Sequence, residues 1–350
     1  MKKILFILLL PLLIACKTKS NQQAVVPMAI TDTNGVVFLD SIQASQAILD
    51  DAADGIFDRL SRLDMSIQLK ENFPAETSYE EILKKYKAYI QTDVSDFQEG
   101  EKKWLQGEWN KAVVLCNLIN KNILPKQVEL IRSKGSYYGK EAFFTRKNKI
   151  VIPEYNLRLR SEQGMLSVLL HEIFHIYSRN NPDKQAELYA HIGFKNIGDS
   201  KDLLTPEVLA NRILHNPDGL NYAWAIELND GTGNVHQAIP IISSTLDAYD
   251  PSKGDFFNFL HFDLFEVKKD EGKYKVICDE KGQPQLQPET MASFFEQIGM
   301  NTQYIIHPDE ILADNFMILA LSQKDPSSLD RFDAYGKQLL EKIEKTIKEL

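Results

Sequence analysis

The sequence predicts an α+β protein, because helical and strand patterns both occur and occupy different parts of the chain. Apolar residues recur mostly at three- to five-residue spacing between about residues 40 and 131, which is typical of packed helices. Between residues 222 and 278, short apolar runs separated by polar turns indicate strands. These patterns predict a helical region at 40–140 and a larger domain at 141–350, with a β-rich insertion at about 220–280.

The composition is that of a folded globular protein. The chain has 350 residues, of which 43% are hydrophobic and 25% are charged, so one large or two ordinary domains can form a substantial core. A formal net charge of −9 argues against nucleic acid as a partner. Besides Cys16, only Cys116 and Cys278 are present, too few for a cysteine-rich structural zinc site. These two could form a disulfide, but the sequence does not show that they meet.

The N-terminus has the pattern of a bacterial lipoprotein signal. Two lysines precede an apolar run at residues 4–14, which is too short to span a bilayer. The run ends in Leu-Ile-Ala-Cys, which resembles the lipobox whose cysteine is acylated. We therefore expect a signal peptide at 1–15, lipidation of Cys16 and a tether at 16–39. This predicts a bacterial cell-envelope protein held to a membrane by its lipid, and Lys17 favours the outer membrane.

Individual elements follow from the same patterns. Within the helical region, helices are predicted at 79–90 and 101–120. Two short strands about a polar turn are predicted at 142–145 and 149–152, and a second hairpin at 262–278 turns at Asp270-Glu271-Gly272. An amphipathic helix with Ser327 as its N-cap is expected to end the chain.

The most informative motif is His171-Glu172-Ile173-Phe174-His175, or H-E-x-x-H. The segment before it is apolar and compatible with a helix, and no helix breaker follows until Pro182. Histidines four residues apart on a helix share one face and can bind one zinc ion, while Glu172 can act as general base. The alternative is a buried helix whose histidines bond to carbonyls, but Glu172 would then need its own partner.

An open zinc site needs a third protein ligand. Glu310 is one candidate, because Pro308 suits the start of a helix and would place Glu310 and Asp314 one turn apart. Asp314 could then accept the free N–H of a ligating histidine. Glu187, with His191 one turn later, is the alternative third ligand.

H-E-x-x-H followed by E-x-x-x-D resembles the gluzincin metallopeptidases, the class of thermolysin and neprilysin. Residues 310–315, E-I-L-A-D-N, are similar to neprilysin's E-N-I-A-D-N. The strand at 149–152 matches the zincin order, in which an edge strand pairs with an extended substrate. The whole chain also resembles bacterial lipoproteins that carry HExxH. The resemblance implies a zincin-like catalytic core that binds Zn²⁺ through His171, His175 and Glu310. Because H-E-x-x-H and E-x-x-x-D are far apart in the chain, the β-rich zone would be an insertion into the zincin-like core.

These observations predict a lipid-anchored zinc metallopeptidase that hydrolyses peptide or protein substrates. Glu172 would take a proton from the attacking water. The developing oxyanion needs a hydrogen-bond donor besides the metal, and Tyr304, His307 and Tyr222 are candidates. Two rival functions remain open: an inactive zincin-like lipoprotein that acts as a binding protein, and a zinc amidase that acts on cell-wall material.

Two other HExxH classes do not fit. A metzincin would have Gly and His where this chain has Ser178 and Asn181. Peptide deformylase takes a cysteine ligand from a Gly-Cys-Leu stretch, whereas Cys116 lies in a predicted helix. Three further histidines have no motif around them and are expected to be surface or core residues: His215, His236 and His261.

Overall fold

The computed structural model describes residues 35–52, 54–159, 161–286 and 290–349. The predicted signal peptide at 1–15, the lipidation site Cys16 and most of the predicted tether lie outside these residues. Helices and strands are both abundant in the described part, which confirms the α+β class. Across the described ranges, every helix is too short or too polar to cross a lipid bilayer.

The first sheet is mixed. Its strands are β1 (Gly35–Phe38), β2 (Val94–Ser95), β3 (Gln127–Ser133), β4 (Phe144–Arg146) and β5 (Lys149–Pro153). The order is β1-β3-β5-β4, with β2 paired to β3. β1, β3 and β5 run parallel, whereas β4 is antiparallel to β5 and forms the edge.

This sheet confirms one prediction and corrects three. The strand pair predicted at 142–145 and 149–152 is the β4–β5 hairpin. The strand at 149–152 is not an edge strand, because β5 lies between β3 and β4. The tether does not extend to residue 39, since β1 already pairs with β3. The helical pattern to residue 131 overlooked β3, in which the alternation of polar and apolar residues stops at Leu130 and the last four residues are all buried.

The second sheet is antiparallel, and four of its five strands lie in the predicted β-rich zone at about 220–280, while β6 precedes it. Its strands are β6 (Phe194–Asn196), β7 (Trp224–Asn229), β8 (Val235–Ser244), β9 (Leu260–Asp270) and β10 (Lys273–Val276), in the order β10-β9-β8-β7-β6. The predicted hairpin at 262–278 is confirmed as β9–β10. Its turn residues Glu271 and Gly272 have φ of 45° and 88°, as tight hairpins of this hand require.

The helices of the described residues pack against one another and against both sheets. They are α1 (Ser41–Ala47), α2 (Arg62–Leu69), α3 (Tyr79–Thr92), α4 (Glu99–Ile119), α5 (Glu154–Leu159), α6 (Glu162–Asn180), α7 (Pro182–His191), α8 (Glu207–Ala210), α9 (Thr290–Ile298), α10 (Pro308–Ser322) and α11 (Ala334–Lys348). Helices α3 and α4 confirm the predictions at 79–90 and 101–120. The predicted cap of the last helix is wrong: Asp333, not Ser327, caps α11, because its side chain accepts the Gly336 N–H.

Helices α6 and α10 position the candidate site. α6 begins after Ser161, whose side chain accepts the Gly164 N–H, and ends before Pro182. α10 begins with Pro308 in its first turn. The two helices pack against each other, and the fully buried rings of Phe174 and Phe316 meet with centroids 5.6 Å apart. This apolar contact brings the HExxH face of α6 against the first turns of α10.

Candidate metal centre

Two imidazoles and one carboxylate converge between α6 and α10. His171 Nε2 lies 3.0 Å from Glu310 Oε2, and His175 Nε2 lies 3.3 Å from the same oxygen. All three side chains are largely buried, with exposed fractions of 13% for His171, 1% for His175 and 2% for Glu310. The sequence predicted these residues as ligands, and the structure brings them together as a group that could hold one metal ion.

Each imidazole is oriented by a carboxylate on its other nitrogen. His171 Nδ1 is 2.9 Å from Asp314 Oδ1, the contact expected from the spacing of E-x-x-x-D. His175 Nδ1 is 2.6 Å from Asp309 Oδ2. Asp309 also accepts hydrogen bonds from the Ser178 hydroxyl at 2.5 Å and the Tyr189 hydroxyl at 2.7 Å. In a neutral imidazole, a proton on Nδ1 that is donated to a carboxylate leaves Nε2 with a lone pair, the form that binds metals.

The atoms present fit a zinc ion. Zn–N and Zn–O bonds of about 2.0–2.2 Å at tetrahedral angles separate ligand atoms by about 3.3 Å, close to the 3.0 and 3.3 Å found here. His175 Nε2 is buried and makes no hydrogen bond, although such a buried group normally finds a partner. The donor set of two imidazoles and a carboxylate also suits zinc.

The protonation of the group reflects its buried charges. Burial lowers the pKa of His171, but hydrogen bonds to two carboxylates outweigh this and raise it to about 10. The pKa of His175 is raised well above its usual value, since nearby carboxylates outweigh its burial. Burial raises the pKa of Glu310, but the two histidines lower it far more. The carboxylates thus hold protons on the imidazoles, and a dication that binds here must displace them.

Glu172 lies beside this group without joining it. Its Oε2 is buried and makes no hydrogen bond with the described residues. Burial, together with the negative charge of Asp218, raises the pKa of Glu172 to about 8. Ligand atoms of Glu172, His175 and Asp218 all lie within 4.8 Å of one another. A carboxylate that is buried, unpartnered and next to a candidate metal group is suited to exchange a proton.

Asp218 belongs to a loop that the sequence does not single out. Asn216, on the same loop, donates from Nδ2 to Glu310 Oε1 at 2.5 Å. Asp218 Oδ1 accepts the backbone N–H of Thr145 at 2.9 Å and also the Thr145 hydroxyl. Gly219 packs so closely on the His307 ring that an added Cβ would lie 2.4 Å from it. A side chain at this position would displace the loop from α10.

His307 does not have the predicted role. Its Nδ1 accepts the Asp309 N–H at 3.1 Å, and its Nε2 donates to the Asn221 carbonyl at 3.0 Å. Because both ring nitrogens are engaged, His307 caps α10 and holds the loop, and it has no donor left for a substrate oxygen.

The other predicted oxyanion donors differ in position. The Tyr304 ring stacks near His171, with centroids 6.0 Å apart and an interplanar angle of 29°. Burial and the carboxylates of the site raise the pKa of Tyr304 well above its usual value, so its hydroxyl keeps its proton. Tyr222 instead packs against the second, smaller core. Tyr304 therefore adjoins the metal group, whereas Tyr222 serves packing.

The alternative third ligand is not near the histidines. Glu187 is exposed, with Oε2 2.9 Å from Lys184 Nζ and Oε1 3.3 Å from the Thr346 hydroxyl. His191 contacts the same hydroxyl at 2.8 Å. The structure therefore gives Glu187 surface partners.

The remaining histidines and cysteines have structural surroundings. His215 is buried against Asp64, with Nδ1 2.8 Å from its carboxylate. Two other histidines pair with acidic residues on the second sheet: His236 with Glu266 and His261 with Asp263. Cys116 is buried, Cys278 is half-buried, and both thiols are free. The possible disulfide between them is not formed.

Neither family models nor curated proteins nor solved structures give a match to this chain.

We expect the full-length protein, purified in detergent, to contain about one zinc ion per chain by elemental analysis. His171→Ala or His175→Ala should abolish zinc binding, because each removes an Nε2 donor. His261→Ala, a histidine 44% exposed on the second sheet, is the control and should keep the metal. Full zinc content in both His171 and His175 variants would contradict the assignment.

The third ligand can be tested with a matched pair. Glu310→Ala should lower zinc affinity sharply. Asp314→Ala should lower zinc affinity by roughly ten- to a hundred-fold, because this variant lacks the acceptor that orients His171. Glu266 and Asp270 have the same E-x-x-x-D spacing but lie in the β9–β10 hairpin, so their alanine variants should bind zinc normally. If Glu187→Ala loses zinc while Glu310→Ala retains it, Glu187 and not Glu310 is the third ligand.

Asp309→Ala should destabilise the metal-free protein by about 3–5 kcal/mol, because three buried donors lose their acceptor. Urea denaturation followed by circular dichroism measures this. Asp270→Ala, at an exposed turn, should change the free energy of unfolding by less than about 0.5 kcal/mol. A loss below about 1 kcal/mol for Asp309→Ala would mean that this network does not stabilise the fold.

Proposed function

We propose that this protein is a zinc-dependent metallopeptidase of the gluzincin kind, anchored by a lipid on Cys16 in the bacterial cell envelope, on the outer membrane. Two features support a zincin-like catalytic core. Edge strand β4 runs antiparallel to β5, which is followed by α5 and then by the HExxH helix. A second helix supplies Glu310 and Asp314 one turn apart on the face that meets both histidines.

One observation carries the proposal. Both histidines direct Nδ1 to a carboxylate and Nε2 to Glu310, while the adjacent Glu172 keeps a buried oxygen free. A helix that used its histidines only for packing would not need a second buried carboxylate, since an unpaired buried polar group costs about 1–3 kcal/mol. The arrangement favours catalysis over a purely structural metal site, which would gain nothing from Glu172.

A zinc ion held here would supply Lewis-acid activation of a water molecule and of the substrate carbonyl. His171, His175 and Glu310 would hold the metal. Glu172 accepts a proton from the attacking water and passes it to the departing amine nitrogen. The Tyr304 hydroxyl, which stays protonated, can donate to the oxygen that becomes negative.

Glu172→Gln tests the chemistry separately from the metal. The variant should keep its zinc and its fold but lose about 10²–10⁴-fold in kcat, because an amide oxygen cannot take the proton. The assay is cleavage of a peptide library by full-length protein in detergent, with a chelator control. Glu227→Gln, on the exposed face of β7, should retain wild-type activity.

Equal cleavage by wild type and Glu172→Gln would contradict the role of Glu172. If the zinc-loaded wild type cleaves no peptide in a broad library, the metallopeptidase proposal fails. Release of fragments from purified peptidoglycan under those conditions would identify the amidase instead. Binding of library peptides without cleavage would identify a binding protein.

A further inference from the structure

An apolar pocket lies beside the candidate metal centre. It is partly open to solvent, and its enclosed space is small, about 20 Å³. That size suits one side chain better than a larger ligand. Its apolar wall combines the segment before β4 with the second sheet and includes Tyr138, Phe143, Ile242, Phe257, Leu260 and Ile306.

The pocket and the metal centre share residues. Tyr304 lines the pocket and also stacks near His171. Asn216 lines it and donates to Glu310. Pro217 completes this side of the pocket, and the next residue is Asp218. A side chain in the pocket would therefore have its backbone next to the metal group and the Asp218 carboxylate.

Asp218 places a second carboxylate beside Glu172 on this side of the centre. Its carboxylate and that of Glu172 lie within 4.8 Å of each other and of His175. Arg179 lies 3.6 Å from Asp218 as its paired cation. Its hydrogen bonds are donated instead to the Thr145 hydroxyl and the Lys147 carbonyl. Two neighbouring buried carboxylates favour a cationic ligand.

Asp218 also occupies part of the free edge of β4. An extended chain adds to a sheet edge through main-chain hydrogen bonds. Here the Thr145 N–H is already bound by Asp218. A substrate chain cannot pair with this position without breaking that contact. The chain that enters the centre therefore ends near Asp218.

We propose, on the basis of the proposed function, that the substrate end bound here is the free amino terminus of a peptide. The first side chain, apolar or aromatic, occupies the pocket, and its ammonium group contacts Asp218. Hydrolysis adds water across the first peptide bond: a carbonyl C–O bond forms, and the C–N bond breaks. Glu172 moves the proton from water to the leaving nitrogen, which releases one amino acid and a shortened peptide.

Two peptides test this with full-length, zinc-loaded protein in detergent: Phe-Ala-Ala-Ala and its N-acetylated form. The free peptide should be cleaved with a kcat/KM at least roughly tenfold higher, because acetylation removes the charge that Asp218 recognises. Asp218→Asn should bring the ratio close to one, whereas Asp270→Asn should leave it unchanged. Equal cleavage of both peptides by the wild type would overturn the proposal, whether or not the Asp218 variant folds. If Asp-Ala-Ala-Ala is cleaved as efficiently as Phe-Ala-Ala-Ala, the role of the pocket is overturned.

A binding measurement separates this inference from the proposed function. Phenylalaninamide should bind the zinc-loaded protein in calorimetry at least roughly tenfold more tightly than N-acetylphenylalaninamide, and Asp218→Asn should remove the difference. If neither peptide is cleaved but this binding difference holds, the peptidase proposal fails and the amine site stands. Equal affinity, or no binding of either ligand, would overturn the amine site. If the wild type binds a second zinc ion that Asp218→Asn does not bind, Asp218 is a metal ligand. That result would also overturn the amine site.

Discussion

The buried pairing of α6 imidazoles with α10 carboxylates is the interaction on which this structure depends. A charge removed from water without a partner costs several kcal/mol, so these groups are stable only within hydrogen-bond distance of one another. The contacts of 2.6–3.0 Å from His171 and His175 to Asp314, Asp309 and Glu310 therefore fix how the two helices meet. Apolar packing brings α6 and α10 together, and the charges determine their register. A bound dication would tighten the same arrangement.

Local periodicity and helical spacing predicted the parts of the molecule that depend on neighbouring residues in the chain. They gave the α+β class, the β4–β5 and β9–β10 hairpins, and the contact of Asp314 with a histidine. The sequence could not predict Asp309 or Asp218, because neither lies in a recognisable motif and both meet α6 through tertiary contacts. His307 was misassigned for the same reason: its partners, Asp309 N–H and the Asn221 carbonyl, become visible only in the fold.

The second sheet contributes to the site as well as to the size of the protein. Strand β8 and the start of β9 provide apolar wall to the pocket, and the loop before β7 carries Asn216 and Asp218. Gly219 lets this loop lie against His307 at the start of α10. The part of the chain between the HExxH motif and Glu310 thus supplies a loop and strands that border the metal group. This explains how a chain with widely spaced motifs can still form one compact centre.

Anomalous scattering from a crystal of the zinc-loaded protein, measured on both sides of the zinc absorption edge, tests the metal centre between α6 and α10 directly. We expect one strong peak bonded to Nε2 of His171, Nε2 of His175 and a carboxylate oxygen of Glu310. Asp309 and Asp314 should remain on the two Nδ1 atoms, and Glu172 should lie beside the peak without bonding to it. A peak elsewhere, or coordination through Glu172 in place of Glu310, would show that these residues do not form the zinc site.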